Sequence, residues 1–128
     1  MKTRYTVAFS MLVGAALGAA TIHGLHAQAK PPAYVIAENE VSNPAAYAKE
    51  YAPFASKALM AAGAKFLVRG GQAVSIAGTP PKSRVIVFAF ESMEQAQAAF
   101  GSPAYREAKK IGEKYAKFRI YAVEGVAK

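Results

Sequence analysis

Four segments rich in β-branched and aromatic residues each carry a charged residue that could do chemistry: Glu38, Arg69, Arg84 and Arg119. A carboxylate on an apolar face can act as a general base, and an arginine can bind an anion or stabilise a developing oxyanion. The three arginines outnumber the one glutamate. We therefore expect the four side chains to approach one face and to form a site for a small, partly apolar organic anion.

Two plainer interpretations stay open for these residues. The charges can lie at strand ends and reach water through their long side chains. Glu38 can form an ion pair with an arginine instead of acting as a base. Tyr34 and Tyr105 are further candidates for the ligand site because a phenol can donate a hydrogen bond, although ordinary core packing explains them equally well.

Other site chemistry is limited by residues that the chain lacks. There is no cysteine and no aspartate, and the two histidines, His23 and His26, lie near the N-terminus. Beyond that segment, a Ser-His-Asp triad, a Cys-His pair and a zinc or iron site all lack their usual residues. The sequence thus predicts no metal and no cofactor.

The elements that must position the candidate residues alternate between strand and helix patterns. Asn43-Pro44, Ser92 and Ser102-Pro103 have the residue types that begin helices, and Pro53 should kink the first of them. The predicted strands are Ala33–Val41, Lys65–Arg69, Gln72–Ala77, Lys82–Phe90 and Phe118–Glu124. This order predicts an α+β fold, a ferredoxin-like split β-α-β arrangement with an antiparallel sheet.

The strands are apolar on both faces, which is unusual for a sheet covered by helices on one side. We assign one parity to the helix side, namely Val35, Ala37, Phe66, Val68, Val85, Val87, Ala89, Phe118, Ile120 and Ala122. The other parity combines Tyr34, Ile36, Leu67, Ile86, Phe88, Phe90 and Tyr121 with the four charged residues. Such an apolar surface should be covered by a second copy, which predicts a homodimer with a dimeric α/β barrel.

Arg69-Gly70-Gly71 resembles the RGG elements of nucleic-acid-binding proteins, but it occurs once and lies between predicted strands. A two-glycine turn explains it, because glycine accepts positive φ angles. The lysine-rich stretch near the C-terminus is interrupted by Glu107 and Glu113, as expected for a solvated helix face. No nucleic-acid partner is predicted.

The first 29 residues form a predicted signal peptide. Lys2 and Arg4 precede an uncharged stretch from Tyr5 to Ile22, and Ala27-Gln28-Ala29 supplies a small-residue cleavage site. The alternative is an uncleaved anchor, which alone would bring membrane contact. Residues 30–128 then form one domain with 14 basic and 8 acidic residues, a net charge of +6. We expect the protein to be periplasmic or secreted.

The stretches "PAYVIAENEV", "AKFLVRGG", "FESMEQAQAAFGSPAYREAKKIG" and "FRIYAVEG" resemble the bacterial domain-of-unknown-function family 1330, of the dimeric α/β-barrel superfamily. The resemblance covers nearly all of residues 33–125 and implies a ferredoxin-like fold and a dimer. It implies no assigned activity, although superfamily relatives include cofactor-independent monooxygenases and isomerases. The family-like positions are Glu38, Arg69, Arg84, Ser102 and Tyr105, none with an established role.

Three functions follow as expectations, and whether the protein is an enzyme stays open. The first is binding of a small organic anion in the barrel or dimer cleft by an exported homodimer. The second is a cofactor-independent enzyme in which Glu38 acts as base and Arg69 stabilises an oxyanion. The third is a non-catalytic structural protein of the envelope, whose +6 charge faces anionic lipid.

Overall fold

A computed structural model of the chain describes residues 30–82 and 84–127. The predicted signal peptide, with His23 and His26, lies outside these residues. The strands are β1 (Ala33–Val41), β2 (Lys65–Arg69), β3 (Arg84–Phe90) and β4 (Ala116–Glu124). Helix α1 has three consecutive parts, Pro44–Ala46, Tyr47–Tyr51 and Ala52–Ala61, and is followed later by α2 (Met93–Phe100) and α3 (Pro103–Gly112).

The four strands form one antiparallel sheet in the order β2-β3-β1-β4, with the helices against one face. This confirms the predicted α+β, ferredoxin-like arrangement. The prediction of a strand at Gln72–Ala77 is wrong, because residues 71–82 form a connection without strand pairing. The Gly70-Gly71 turn indicated a return strand, but among the described residues no neighbouring strand supplies the hydrogen bonds that one needs.

Short polar side chains begin the helices as their positions predicted. The side chains of Asn43, Ser92 and Ser102 accept hydrogen bonds from the backbone N–H groups of Ala46, Gln95 and Tyr105, respectively. Pro44 and Pro103 follow two of these caps, where a missing N–H costs nothing. Local sequence therefore determines where each helix starts.

The middle part of α1, Tyr47–Tyr51, is a π-helix rather than a kinked α-helix. Ala52 donates its backbone N–H to the carbonyl of Tyr47, five residues earlier. Pro53 accounts for the wider turn, because a proline has no N–H to donate and its ring clashes with the carbonyl four residues before it. Beyond this turn, Ala55 is buried, whereas Phe54 is 60% exposed.

The register of the sheet corrects the predicted faces of two strands. In β3, Ile86, Phe88 and Phe90 pair with Ala37, Val35 and Ala33 and lie on the helix side with them. Val85, Val87 and Ala89 therefore occupy the open face, the reverse of the prediction. In β2 a register shift between Phe66 and Val68 places Val68 on the open face and Arg69, opposite Ile86, on the helix side.

The physical reason for this correction is the size of the side chains. Both parities of β3 are apolar, so alternation alone could not choose between them. The space beneath the helices takes the larger side chains, and Phe88 and Phe90 are 4% and 3% exposed. The predicted placement of β1 and β4 agrees with the register.

Within residues 30–82 and 84–127, no helix has the length and apolar character needed to cross a membrane.

Candidate functional site

A cavity of about 280 Å³ lies between helix α1 and strands β2 and β3. The helix contributes Tyr47, Tyr51, Ala52, Pro53, Ala55, Ser56 and Leu59, and the sheet contributes Phe66, Arg69, Arg84, Ile86 and Phe88. We call this space the arginine cavity. A second depression of about 420 Å³ adjoins it and shares Tyr47, Ala52 and Arg84. Arg84 thus lies where the two spaces meet.

Arg84 is half-buried and has no acidic partner within the part of the chain that the structure describes. Its Nε is buried and has no hydrogen-bond partner. The guanidinium packs against Gly70, where an added Cβ would overlap it, and lies 5.6 Å from the centre of the Tyr47 ring. A buried polar group without a partner is costly, so this guanidinium is suited to an external anion.

Arg69 brings a second positive charge to the same cavity. Its Cζ lies 3.6 Å from the centre of the Phe66 ring, a cation–π contact that holds the guanidinium flat against the wall. Among the described residues, no carboxylate lies within ion-pair distance of it. Because residue 69 is exposed, the cavity reaches solvent at this side.

Tyr47 and Asn39 add a polar contact next to Arg84. Asn39 is 1% exposed and lies opposite Arg84 in the β1–β3 register. Its side-chain Nδ2 donates to the Tyr47 hydroxyl at 2.9 Å. The sequence pattern singles out neither residue, because nothing local indicates that Asn39 and Tyr47 meet beside Arg84.

Behind the cavity wall, two buried phenols meet in the core. The hydroxyls of Tyr51 and Tyr105 are 3.3 Å apart, and either can donate to the other. Burial is the main cause that raises the pKa of both phenols well above the ordinary value, and the neighbouring Tyr105 raises that of Tyr51 further. Tyr105 itself does not line the cavity. It supports the ring that does.

The prediction that four charged residues share one face is wrong. Arg69 and Arg84 lie on the helix side, whereas Glu38 and Arg119 face each other across β1 and β4 on the open side. Arg119 donates a hydrogen bond to the Glu38 carboxylate. The ion pair with an arginine that was considered for Glu38 is therefore present, and its partner is Arg119.

Tyr34 also lies on the open face, where it is next to Gly125, near the C-terminus, and not beside an arginine of the cavity. Of the predicted ligand-binding residues, the structure brings together only Arg69 and Arg84. Within the described segments, no three potential metal ligands among His, Cys, Asp and Glu form a group that could hold a metal ion.

The fold and this cavity define a class: a ferredoxin-like α+β domain with an arginine-bearing cavity between its helix layer and its sheet. Residues 32–126 match the family described as "Domain of unknown function (DUF1330)". The chain belongs to this family. No curated protein matches it with significant sequence similarity.

Solved structures share the fold at low sequence identity. A methylated form of a Rhodopseudomonas palustris protein has 16% identity and a TM-score of 0.61, covering 83% of this chain and 90% of that one. Another crystal structure of the R. palustris protein, described as of unknown function, has a TM-score of 0.52. An EthD-like protein from Ralstonia eutropha has 23% identity and a TM-score of 0.50, covering 74% and 92% of the two chains. At such identities the likeness concerns the fold and not the function.

Proposed function

We propose that this domain binds a small organic anion in the arginine cavity. The observation that carries the proposal is the Arg84 guanidinium, which borders an apolar cavity with a buried, unpartnered Nε and no acidic partner in the described residues. The proposed site lies between helix and sheet, which differs from the barrel interior or dimer cleft that the sequence predicted.

Electrostatics supports this assignment. Moving a cation out of water is unfavourable unless an opposite charge or hydrogen bonds compensate for the loss. Arg119 has such compensation from Glu38, whereas the half-buried Arg84 has none from a described carboxylate. An anion that entered the cavity would supply it. Apolar walls with a few convergent polar groups are typical of small-molecule sites.

The other two functions have less support. Glu38 accepts a hydrogen bond from Arg119 on the open face of the sheet, whereas Arg69 lies on the helix side. A base at Glu38 and an oxyanion-stabilising Arg69 could therefore not contact the same ligand. A purely structural role does not explain why Arg84, which has no acidic partner among the described residues, borders a cavity. Anion binding accounts for both features.

Calorimetric titration with four probes tests the proposal. Benzoate and cyclohexanecarboxylate are ionised at neutral pH, and benzyl alcohol and cyclohexylmethanol are their neutral counterparts. A charge-assisted hydrogen bond is worth about 1.5–3 kcal/mol, or roughly tenfold to a hundredfold in Kd. We expect at least one acid to bind about tenfold or more tightly than its own alcohol.

Two arginine variants locate the binding. Arg84→Gln should abolish the preference for acid over alcohol, because the unpartnered guanidinium is lost. Arg119→Gln is the matched control, since Arg119 lies on the other face and is paired with Glu38. If neither acid binds better than its alcohol, or if Arg119→Gln weakens binding as much as Arg84→Gln, the proposal is refuted.

We also propose that the open face of the sheet forms a homodimer interface. This face consists mostly of apolar side chains that are half-buried or exposed, including Tyr34, Ile36, Val68, Val85, Val87, Tyr121 and Val123. A contiguous apolar patch of this kind is unfavourable in water and is removed by association. A second copy offers the same patch, as a two-fold interface requires.

Light scattering after size-exclusion chromatography tests the dimer. Wild-type protein should have the mass of two chains, and Val87→Lys should reduce it to one because a lysine would be buried without a partner. Gln97→Lys, on the exposed side of α2, is the control and should remain a dimer. A monomeric wild-type protein would contradict this proposal and leave the cavity proposal standing.

Export completes the proposed function. We propose that the leader is cleaved after Ala29 and that the domain acts in the periplasm or outside the cell, on the basis of the basic start, the uncharged stretch and the Ala-Gln-Ala site. The mass of the protein from a periplasmic extract should correspond to a chain that begins at Lys30. An intact chain in the membrane fraction would argue for the anchor instead.

A further inference from the structure

We infer that the anion bound in the arginine cavity is an aromatic carboxylate with a single ring, an inference that rests on the proposed anion-binding function. Its carboxylate pairs with Arg84, and its ring lies among the aromatic side chains of the cavity wall. This ligand class follows from three properties of the cavity: the chemistry of its walls, its volume and the position of its polar groups.

Two pairs of aromatic rings line the cavity, one from each layer of the fold. Tyr47 and Tyr51 of α1 have ring centres 5.0 Å apart, and Phe66 and Phe88 of the sheet have centres 4.7 Å apart. Aromatic rings associate best with another flat ring in tilted or edge-to-face geometry at such distances. A planar ring that enters between the layers therefore finds a partner on both walls.

The volume sets the size of the ligand. An apolar cavity of about 150 Å³ is large enough to bind benzene. The arginine cavity measures about 280 Å³, which accommodates one ring with its carboxylate and a short substituent. Any longer substituent has to extend past Arg84 into the adjoining depression of about 420 Å³.

The polar groups lie at one end of the cavity, near the end of β2 and the start of β3. Arg84 and Arg69 belong to these strand ends, and Asn39 lies opposite Arg84 in the next strand. Because Asn39 donates to the Tyr47 oxygen, the hydroxyl proton of Tyr47 is left to be donated to a ligand oxygen. A carboxylate at this end would meet one guanidinium and one phenol donor while its ring points towards Phe88.

The experiment compares Kd values for benzoate and cyclohexanecarboxylate, which share charge and carbon count but differ in planarity. An aromatic pair contributes a factor of about three to ten beyond its buried area. We expect wild-type protein to bind benzoate more tightly than cyclohexanecarboxylate by about that factor. Phe66→Leu should reduce the ratio towards one, because it removes a wall ring but keeps an apolar side chain.

Phe90→Leu is the matched control, since the Phe90 ring packs on Phe100 and does not line the cavity. It should keep the benzoate preference. The wild-type ratio tests the inference even if a variant is too unstable to titrate. Equal binding of the two acids, or tighter binding of cyclohexanecarboxylate, overturns the aromatic class while anion binding stands. Acids that bind no better than their alcohols refute the proposed function itself.

Discussion

Arg84 and Arg119 lie on the two strands that flank β1, on opposite faces of one sheet, and they differ in what surrounds them. Arg119 reaches solvent and donates to Glu38. Arg84 has a buried Nε without a partner, packs against Gly70 and borders a cavity. In the sequence, each of them is an arginine within an apolar strand. What distinguishes Arg84 from the surface residue Arg119 is therefore not its charge but the absence of an acidic partner among the described residues.

The largest expected effect tests the assignment of the two faces at adjacent residues of β3. Phe88→Ala should lower the free energy of unfolding by about 3–5 kcal/mol, because it leaves a cavity under the helices. Val87→Ala, on the open face, should cost about 1 kcal/mol, since it removes only two half-buried methyl groups. Urea unfolding measures both.

Equal costs at residues 87 and 88 would contradict the register described above. If the cost of Val87→Ala depends on protein concentration, the open face is an interface in the folded dimer, because association then contributes to stability.

The second prediction concerns alkaline pH and the core phenol of Tyr51, which is buried against Tyr105. Above about pH 10 an unfolded chain loses its tyrosine protons. Folded Tyr51 keeps its proton because burial raises its pKa. The unfolded state then binds fewer protons, so stability falls as pH rises, by about 1.4 kcal/mol per pH unit for this group, and is unaffected by it below pH 10.

Unfolding measured from pH 9 to 11 should therefore show a smaller decline for Tyr51→Phe than for wild type. Parallel curves for wild type and Tyr51→Phe would mean that Tyr51 is not buried in the folded protein.

The third prediction compares alanine substitutions at two glycines that both have a positive φ angle. Gly70 and Gly78 have φ angles of +67° and +77°, but only at Gly70 would a Cβ meet the Arg84 guanidinium. Each alanine substitution should cost about 1–2 kcal/mol for the left-handed conformation. Gly70→Ala should in addition weaken benzoate binding about tenfold, because it displaces Arg84. Similar binding by both variants would show that Arg84 does not need this support.

The smallest effect is expected at the ion pair on the open face. Glu38→Gln removes the partner of Arg119; the Glu38 side chain is 12% exposed, but that of Arg119 is 66% exposed, so solvent reaches the pair and screens the interaction. Stability should change by less than about 1 kcal/mol, and the affinity for benzoate should not change. A large loss of benzoate binding in Glu38→Gln would return Glu38 to the site and contradict the separation of the two faces.

Local sequence predicted most of the fold. The caps at Asn43, Ser92 and Ser102 and the limits of β1 and β2 could be read directly, because each depends on residues within a few positions of one another. The π-helical turn could not be read, although Pro53 indicated an irregularity. A kink and a wider turn both accommodate a proline, so Pro53 alone does not determine which of them forms.

The candidate site was predicted only in part, for a different physical reason. The sequence by itself determined that arginines lie within apolar strands, that Gly70 permits a positive φ, and that no histidine or cysteine is available beyond the predicted leader. Only the tertiary structure decided which arginines meet. Side-chain direction in a strand reverses at every residue and again at a register shift, and both parities of β3 are apolar. Pairing with β1 and the fit of Phe88 under the helices settled the faces, and these are contacts between residues far apart in the chain.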